Sequence, residues 1–328
     1  MMGERWVTTR LARAVLGVAL VASLLSPARA AQGSKIFSTP DDAATALVEA
    51  CERHDTAALA AILGPDAGDL LNSGDPVQDT ARLDRFVRRA REGLRVDPDP
   101  FAADRLVIIV GKDRWPVPVP IVKASSGYRF DVGAAKAEIL ARRVGRNELD
   151  AIAALRDFAA AELEYAYTDP DKNGMHDYAQ QILSAPGQRN GLYWDVKDGE
   201  PPSPLARIVG RVTAEGYELA KPGEPVMYHG YVFRVLKAQG RHAAGGARDY
   251  VVRGLMIGGF ALVAYPVEYG LSGVRTFVVN HDGVVREKDL GPRTTAIAAA
   301  IRRYSPDATW KLSPQEAAEA AGSPTPRR

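Results

Sequence analysis

The chain has 328 residues, of which 46% are hydrophobic and 25% charged, and its formal net charge at pH 7 is +2. This near balance gives no electrostatic case for a nucleic-acid partner, and the length suffices for one large or two ordinary hydrophobic cores. Cys51 is the single cysteine, which excludes an intramolecular disulfide, so stability must come from packing.

The first 30 residues have the order of a cleavable export signal. Arginines precede an apolar stretch over 14–25, and Ala28-Arg29-Ala30 supplies a small-residue cleavage site. The apolar stretch is shorter than the roughly 20 residues that span a membrane. We therefore predict cleavage after Ala30 and a periplasmic or secreted protein without stable membrane insertion. An uncleaved N-terminal anchor is the alternative.

Residues 31–146 are predicted to form an α+β domain of helices followed by antiparallel strands. Alternating prolines over 115–123 indicate an edge strand or an extended arm, because proline cannot donate to a strand ladder. The element order resembles the cone-shaped nuclear-transport-factor-2-like (NTF2-like) fold. Helical spacing marks 41–53, 57–63 and 80–93, and β-branched residues mark a strand over 105–111.

Residues 147–312 are predicted to form a second α+β domain. A capping arrangement of Asn147 and Asp150 predicts one long helix over 148–167. Strands dominate afterwards, and Asp282-Gly283 indicates a hairpin. A closing helix is expected over 294–304, and the composition of the tail, residues 313–328, favours disorder. Predicted strands cover 231–236, 250–252, 260–265, 276–279 and 284–288.

Several longer runs of the sequence resemble a known family. They are similar to the bacterial exported family catalogued as domain of unknown function 2950, over about residues 37–311. The resemblance implies bacterial export and no established activity. The runs are 143–149, 191–194, 258–266, 283–285 and 288–291.

The second predicted domain also resembles the soluble part of type IV pilin and pseudopilin subunits. A helix ending over 160–167 is followed by an irregular loop and by segments with Gly-Phe and Asp-Gly pairs. This resemblance implies a long helix packed on an antiparallel sheet. An entire domain precedes that helix here, where pilins carry an apolar filament helix.

The loop after the long helix carries the sharpest chemical signal. Asp169, Asp171, Asn173 and Asp177 occupy positions 1, 3, 5 and 9 of a calcium-loop pattern, with a glycine at position 6. Position 12 is Gln180, which supplies one neutral oxygen instead of a bidentate carboxylate. We predict weak, structural calcium binding by these four residues. The alternative is a polar turn that ends the helix.

The sequence supplies no catalytic or cofactor-binding set. Cys51 and His54 could form a thiolate–imidazole pair, but Cys51 lies on an apolar helix stripe, which favours packing. The histidines lack the spacing of a zinc site. If the first domain holds an enzymatic cleft, Trp115, Arg129 and Asp131 are the candidates to line it.

These observations predict an exported, non-enzymatic envelope protein that acts as a binding or scaffold module. Its expected partner is an envelope protein or a polymer. Two alternatives stay open: a hydrolase or other enzyme with a cleft in the first domain, and a pilin-related assembly component.

Overall fold

The structure is a computed structural model that describes residues 33–100 and 102–322. The export signal predicted over 1–30 lies outside these residues, as does the end of the tail, 323–328. The described residues combine helices with antiparallel sheets, which confirms the predicted α+β class. No helix among them is long and apolar enough to cross a membrane.

Polar caps begin the first helices. The Thr39 hydroxyl accepts a hydrogen bond from the Asp42 backbone N–H at 3.1 Å, and the Asp42 carboxylate accepts one from the Thr39 N–H at 3.2 Å. Asp55 caps α2 by accepting from the Ala58 N–H, and Asp75 caps α4 by accepting from the Gln78 N–H. The helices are α1 (Pro40–Glu52), α2 (Thr56–Leu63), a 3-10 turn (Pro65–Ala67), α3 (Gly68–Leu71) and α4 (Pro76–Glu92).

The first sheet has the strand order β1-β2-β4-β5, and β3 also pairs with β2. Ile108 and Val110 are fully buried against the helices, whereas Val107 and Ile109 point to the opposite face of β2. The proline segment begins with a short strand, β3, that pairs only with β2, and 117–120 lie outside the strands. The prediction of an edge strand or an arm is wrong for residues 121–123, which lie in β4 between β2 and β5, because the prolines end at position 120. The strands are β1 (Leu94–Pro98), β2 (Arg105–Val110), β3 (Trp115–Pro116), β4 (Ile121–Ala124) and β5 (Gly127–Phe130).

Helix α5 (Val132–Thr168) starts well before the predicted position 148. Asp131 caps it, accepting a hydrogen bond from the Ala134 N–H at 3.4 Å. The N-cap predicted at Asn147 is wrong, because Asn147 lies in mid-helix with its side chain buried. Glycines and arginines over 133–146 weaken the apolar periodicity there, so the sequence pattern revealed only the second half of the helix.

The second sheet is antiparallel with the order β15-β14-β13-β12-β7-β6. All six residues of its central strand β12 are buried, because both faces of that strand are covered. The predicted hairpin at Asp282-Gly283 is confirmed between β13 and β14. The elements are α6 (Ala206–Ala214), β6 (Val226–Tyr228), β7 (Tyr231–Leu236), β8 (Ala238–Gln239), β9 (Arg248–Asp249), β10 (Val251–Val252), β11 (Leu255–Met256), β12 (Ala261–Pro266), β13 (Arg275–Asn280), β14 (Arg286–Asp289), α7 (Thr294–Ala300), β15 (Lys311–Leu312) and α8 (Pro314–Gly322).

Two hydrophobic cores are present in the described part of the chain. One runs from Phe37 to Ala135, and the other from Ala151 to Tyr304. Helix α5 contributes to both, so the division between the cores falls within a continuous helix rather than in a linker.

A helix forms at the start of the tail, where composition favoured disorder. The Arg156 guanidinium of α5 donates to the carboxylates of Glu316 at 2.8 Å and Glu319 at 3.1 Å, both on α8. The Ser313 carbonyl accepts the first helical hydrogen bond, from Ala317 at 2.9 Å. These tertiary contacts hold a segment whose composition alone does not predict order.

Candidate functional site

A cleft of about 700 Å³ opens on the sheet face opposite the first core. Val107 and Ile109 form its apolar floor together with Val117. Prolines at positions 98, 100, 116, 118 and 120 line its walls. Proline fixes the backbone φ angle, so these walls are preorganised and lose little conformational entropy on binding.

The rim of the cleft carries charged side chains. Asp97 accepts from the Arg95 guanidinium at 2.8 Å and Glu138 from Arg142 at 2.6 Å. Arg105 and Arg114, also on the rim, have no carboxylate within 4.0 Å in the described part of the chain. Their guanidinium groups are therefore available to an acidic ligand.

The three cleft residues expected for an enzyme do not line this cleft. Trp115 lies under the Arg89 guanidinium, 5.6 Å from the ring centroid. Arg129 donates to the neighbouring Phe130 carbonyl at 3.2 Å, and Asp131 caps α5. The contacts of these three residues are with neighbouring protein groups, and none of the three lies in the lining of the cleft.

Cys51 and His54 do not form the conceivable thiolate–imidazole pair. Cys51 is buried in the first core, and burial raises the pKa of its thiol to about 12. His54 instead binds the Asp84 carboxylate at 2.8 Å. The predicted packing role of Cys51 agrees with this position.

The four predicted calcium ligands do come together. Asp169 ends α5 in a left-handed conformation, with φ 45°, and its carboxylate accepts from the backbone N–H groups of Asn173 and Gly174, each at 3.1 Å. The Asn173 amide nitrogen donates to Asp171 at 2.9 Å and to Asp177 at 3.0 Å. Burial, Asp177 and Asp169 together raise the pKa of Asp171.

Position 12 of the calcium pattern does not join this loop. The Gln180 side chain donates to the Gly254 carbonyl at 2.6 Å and accepts from the Lys237 ammonium at 3.2 Å. Across residues 33–100 and 102–322, no group of three or more His, Cys, Asp or Glu side chains has an arrangement that could hold a metal ion. Calcium binding, which would need Asn173 and main-chain oxygens, stays a prediction.

A charged cluster lies between α5, the end of α6 and the turn between β6 and β7. His229 has φ 47°, and its ring nitrogens lie 2.7 Å from an Asp150 carboxylate oxygen and 2.8 Å from one of Glu215. The Tyr228 ring stacks on the imidazole at a centroid distance of 3.8 Å. Both nitrogens must carry a proton to donate in this way, so the geometry favours the imidazolium.

Opposing effects set the charge of this imidazole. Burial alone would lower the pKa of His229, but the hydrogen bonds to Asp150 and Glu215 outweigh burial and raise the pKa above 6.5. With both nitrogens occupied, His229 has no free site to accept a proton from a substrate. The cluster is therefore a structural clamp.

Asp75 connects the cap of α4 to the second core. Its carboxylate accepts from the Tyr217 hydroxyl at 2.7 Å and from the Gly230 N–H at 2.8 Å, and it is 1% exposed. Burial and Asp75 raise the pKa of Tyr217. A side chain at Gly230 would collide with Asn147, because an added Cβ would lie 2.8 Å from its amide nitrogen.

Sequence reasoning missed the His229 and Asp75 clusters. Asp75-Pro76 has the local form of a helix start, which predicts a cap and nothing further. The partners of Asp75 lie 142 and 155 residues away in sequence, and those of His229 lie 14 and 79 residues away. Only a co-varying set of homologous sequences carries such a signal.

A family model described as "Protein of unknown function (DUF2950)" matches residues 34–312. This range contains the cleft, the Asp169–Asp177 loop and both polar clusters. Comparisons with curated proteins and with solved structures gave no match.

Proposed function

The chain belongs to the family described as "Protein of unknown function (DUF2950)", and from its own geometry we propose that it is an exported, non-enzymatic binding or scaffold protein of the bacterial envelope. The cleft is the observation that carries this proposal. Its preorganised proline walls, its apolar floor and two arginines without a carboxylate partner among the described residues suit an acidic, partly apolar peptide segment of another envelope protein. The proposed place of action depends on the export signal over 1–30.

The cleft chemistry favours binding over hydrolysis. Asp97 and Glu138 each already pair with an arginine, so neither is a free carboxyl group placed to exchange a proton with a substrate. As far as the structure describes it, the cleft lining contains no histidine, cysteine or serine that could act as a nucleophile or a base. The third carboxylate of the cleft, Asp99, also has an interaction partner within the protein.

Affinity capture from an envelope extract tests the cleft. Wild-type protein, an Arg105→Glu/Arg114→Glu variant and an Arg207→Glu control serve as baits. Arg207 is exposed on α6, outside the cleft. We expect the wild type and the control to retain the same acidic partner and the cleft variant to lose it. Equal capture by all three baits would contradict the proposal.

The proposed export has its own test. The intact mass of the protein recovered from the periplasm or the medium should correspond to a chain that begins at Ala31. A mass that includes the residues before Ala28 would exclude cleavage at the predicted site.

A structural calcium ion in the Asp169–Asp177 loop is a further component of the proposal. Its support is the convergence of the Asp171 and Asp177 carboxylates on one Asn173 amide group. A calcium ion would neutralise these carboxylates and fix the end of α5.

Pilin-related assembly is the second candidate function. With it we propose an NTF2-like fold for the first predicted domain and a pilin-like fold for the second. Leu149, Leu163 and Tyr167 are exposed on one face of α5, at 54%, 51% and 84%. An apolar helix face of this kind suits self-association. Sedimentation over a hundredfold concentration range tests it: association should occur in the wild type and be lost in Leu163→Glu. A wild type that remains monomeric throughout would contradict it.

A further inference from the structure

A second pocket, of about 420 Å³, lies on the face of the second sheet that carries α7. Phe233 of β7 packs against Phe158 of α5, with ring centroids 5.5 Å apart, so its side chain marks the α5 face. Arg234, the next residue, points to the opposite face and donates to a carbonyl oxygen of α7 at 3.2 Å. Val278 lies on the Arg234 side, because both residues pair with Val263. Val278 is therefore the floor of the pocket.

The pocket is apolar and open to solvent. Helix α7 packs on β12, and its Ile297 and Ile301 ends border the pocket, so the helix leaves part of the sheet face uncovered. Ile297 is 39% exposed. A concave apolar surface of this size is typical of sites for small ligands, which measure about 300 to 1,000 Å³. Leu290, Pro306 and Trp310 complete the apolar lining.

A cation lies at the pocket without an acidic partner. Apart from the Trp310 indole, the polar side chains of the described lining are Arg302, Arg303 and Ser305. The Ser305 hydroxyl accepts a backbone N–H at 3.4 Å, and Arg303 pairs with Asp249 at 3.0 Å. Arg302 donates through Nη1 to carbonyl oxygens at the end of α7. It has no carboxylate within 4.0 Å among the residues that the structure describes.

More positive charge lies on the same sheet face. Arg286 of β14 pairs with Val278, and Lys288 follows two residues later, so both side chains lie on the α7 face. Within 33–100 and 102–322, neither has a carboxylate within 4.0 Å. Asp307, in the segment that borders the pocket, accepts from the Thr309 N–H at 2.9 Å. The surroundings of the pocket therefore favour a negatively charged group.

We propose that this pocket binds a single-chain anionic amphiphile, a long-chain carboxylate, with its hydrocarbon chain on the apolar lining and its carboxylate at Arg302. A hydrocarbon chain has no polar atom that this lining would leave unpaired. The Arg302 bonds to α7 use Nη1, so the edge formed by Nε and Nη2 can donate two parallel N–H groups to a carboxylate. The site shares no residue with the proline-walled cleft and does not depend on the function proposed for it.

Titration calorimetry with sodium dodecanoate, kept below the concentration at which it forms micelles, tests the proposal. Dodecyltrimethylammonium has the same chain with the opposite charge, and acetate has the carboxylate without the chain. Dodecanoate should bind at least about tenfold more tightly than the ammonium compound, because its charge is opposite to that of Arg302. Acetate should not bind at the same concentrations, because it buries no chain.

Two variants separate the chain from the carboxylate. Ile297→Glu places a charge on the apolar lining and should abolish dodecanoate binding. Its control is Ile257→Glu, at a position of similar exposure, 44%, outside the pocket, which should bind as the wild type does. Arg302→Gln should weaken dodecanoate binding at least about tenfold and leave the binding of uncharged dodecanol unchanged.

Melting temperatures without ligand check that the variants fold. If Ile297→Glu does not fold, the comparison of dodecanoate with dodecanol in Arg302→Gln still decides. Four results would each overturn the proposal: a wild type that does not bind dodecanoate, equal affinity for dodecanoate and dodecyltrimethylammonium, equal dodecanoate binding by the two glutamate variants, or wild-type affinity for dodecanoate in Arg302→Gln.

Discussion

The Tyr217 hydroxyl donates a 2.7 Å hydrogen bond to the Asp75 carboxylate, and this bond joins the cap of α4 to the second core. The same carboxylate oxygen accepts from the Gly230 N–H, and the other oxygen accepts from the Gln78 N–H at 3.1 Å. One buried carboxylate therefore accepts hydrogen bonds both from the backbone at the start of α4 and from the turn between β6 and β7. Its removal leaves several buried donors without partners.

Asp75→Ala should lower the free energy of unfolding by about 3 to 5 kcal/mol, since it removes a helix cap and leaves the Tyr217 hydroxyl and the Gly230 N–H unpaired. Urea unfolding measures this loss. Asp55→Ala is the matched control, because Asp55 caps α2 through one bond, to Ala58 at 2.9 Å. The control should cost about 1 kcal/mol. Equal losses in the two variants would show that the long-range bonds contribute nothing.

The His229 clamp predicts a pH-dependent contribution to stability. The folded pKa of His229 is raised, so its stabilisation is fully present below the unfolded value near 6.5 and is lost as the pH rises through the folded pKa. His229→Gln should therefore cost about 1 to 2 kcal/mol at pH 6 and less at pH 9. Asp150, Glu215, the Tyr228 ring and the Tyr217 ring are the groups that lie beside this imidazole.

Urea unfolding at pH 6, 7.5 and 9 measures the His229 effect. The control is His54→Gln, which removes an exposed histidine–carboxylate pair with Asp84 and should have a smaller effect. A wild-type advantage over His229→Gln that does not change with pH would be inconsistent with an imidazolium clamp.

Helical periodicity located α1, α2, α4 and the second half of α5, because these segments bury one apolar stripe. The start of α5 at Val132 escaped detection, since that half contacts the core through few large apolar side chains and carries glycines and arginines. The Asp169–Asp177 loop was also visible in the sequence, because its side chains converge within nine residues. The cleft was not, because it depends on how β2, the proline arm and α5 meet.

The contribution of Glu162 to stability should change with pH in the direction opposite to that of an ion-paired carboxylate. It is fully buried and one oxygen accepts from the Ala179 N–H at 2.9 Å, while the other has no hydrogen-bond partner within 33–100 and 102–322. Burial raises the pKa of Glu162 well above 4.5, and the Ala179 hydrogen bond offsets only part of this rise. The folded state therefore holds a proton that the unfolded state releases as the pH increases.

Glu162→Gln should stabilise the protein increasingly from pH 5 to pH 8. The amide keeps an acceptor for Ala179 but cannot ionise, so its advantage should grow by up to about 1.4 kcal/mol per pH unit until the folded pKa is reached. Glu164→Gln, at an exposed position on the same helix, is the control and should show no such trend. Melting temperatures measured at several pH values decide the matter, and a parallel response of both variants would argue against a buried neutral carboxyl group.

Calcium should raise the melting temperature through the Asp169–Asp177 loop. With a dissociation constant between about 0.1 and 1 mM, typical of weak extracellular sites, 5 mM calcium should add about 1 to 2 kcal/mol and a few degrees relative to chelator. Asp171→Asn should lose most of this shift, because it removes one of the two carboxylates that converge on Asn173. Asp198→Asn, at an exposed position beyond the loop, should keep it. If calcium and chelator give the same melting curve for the wild type, the loop is a polar helix end stabilised by its own hydrogen bonds. The role of Asp171 is then limited to its hydrogen bond with the Asn173 amide.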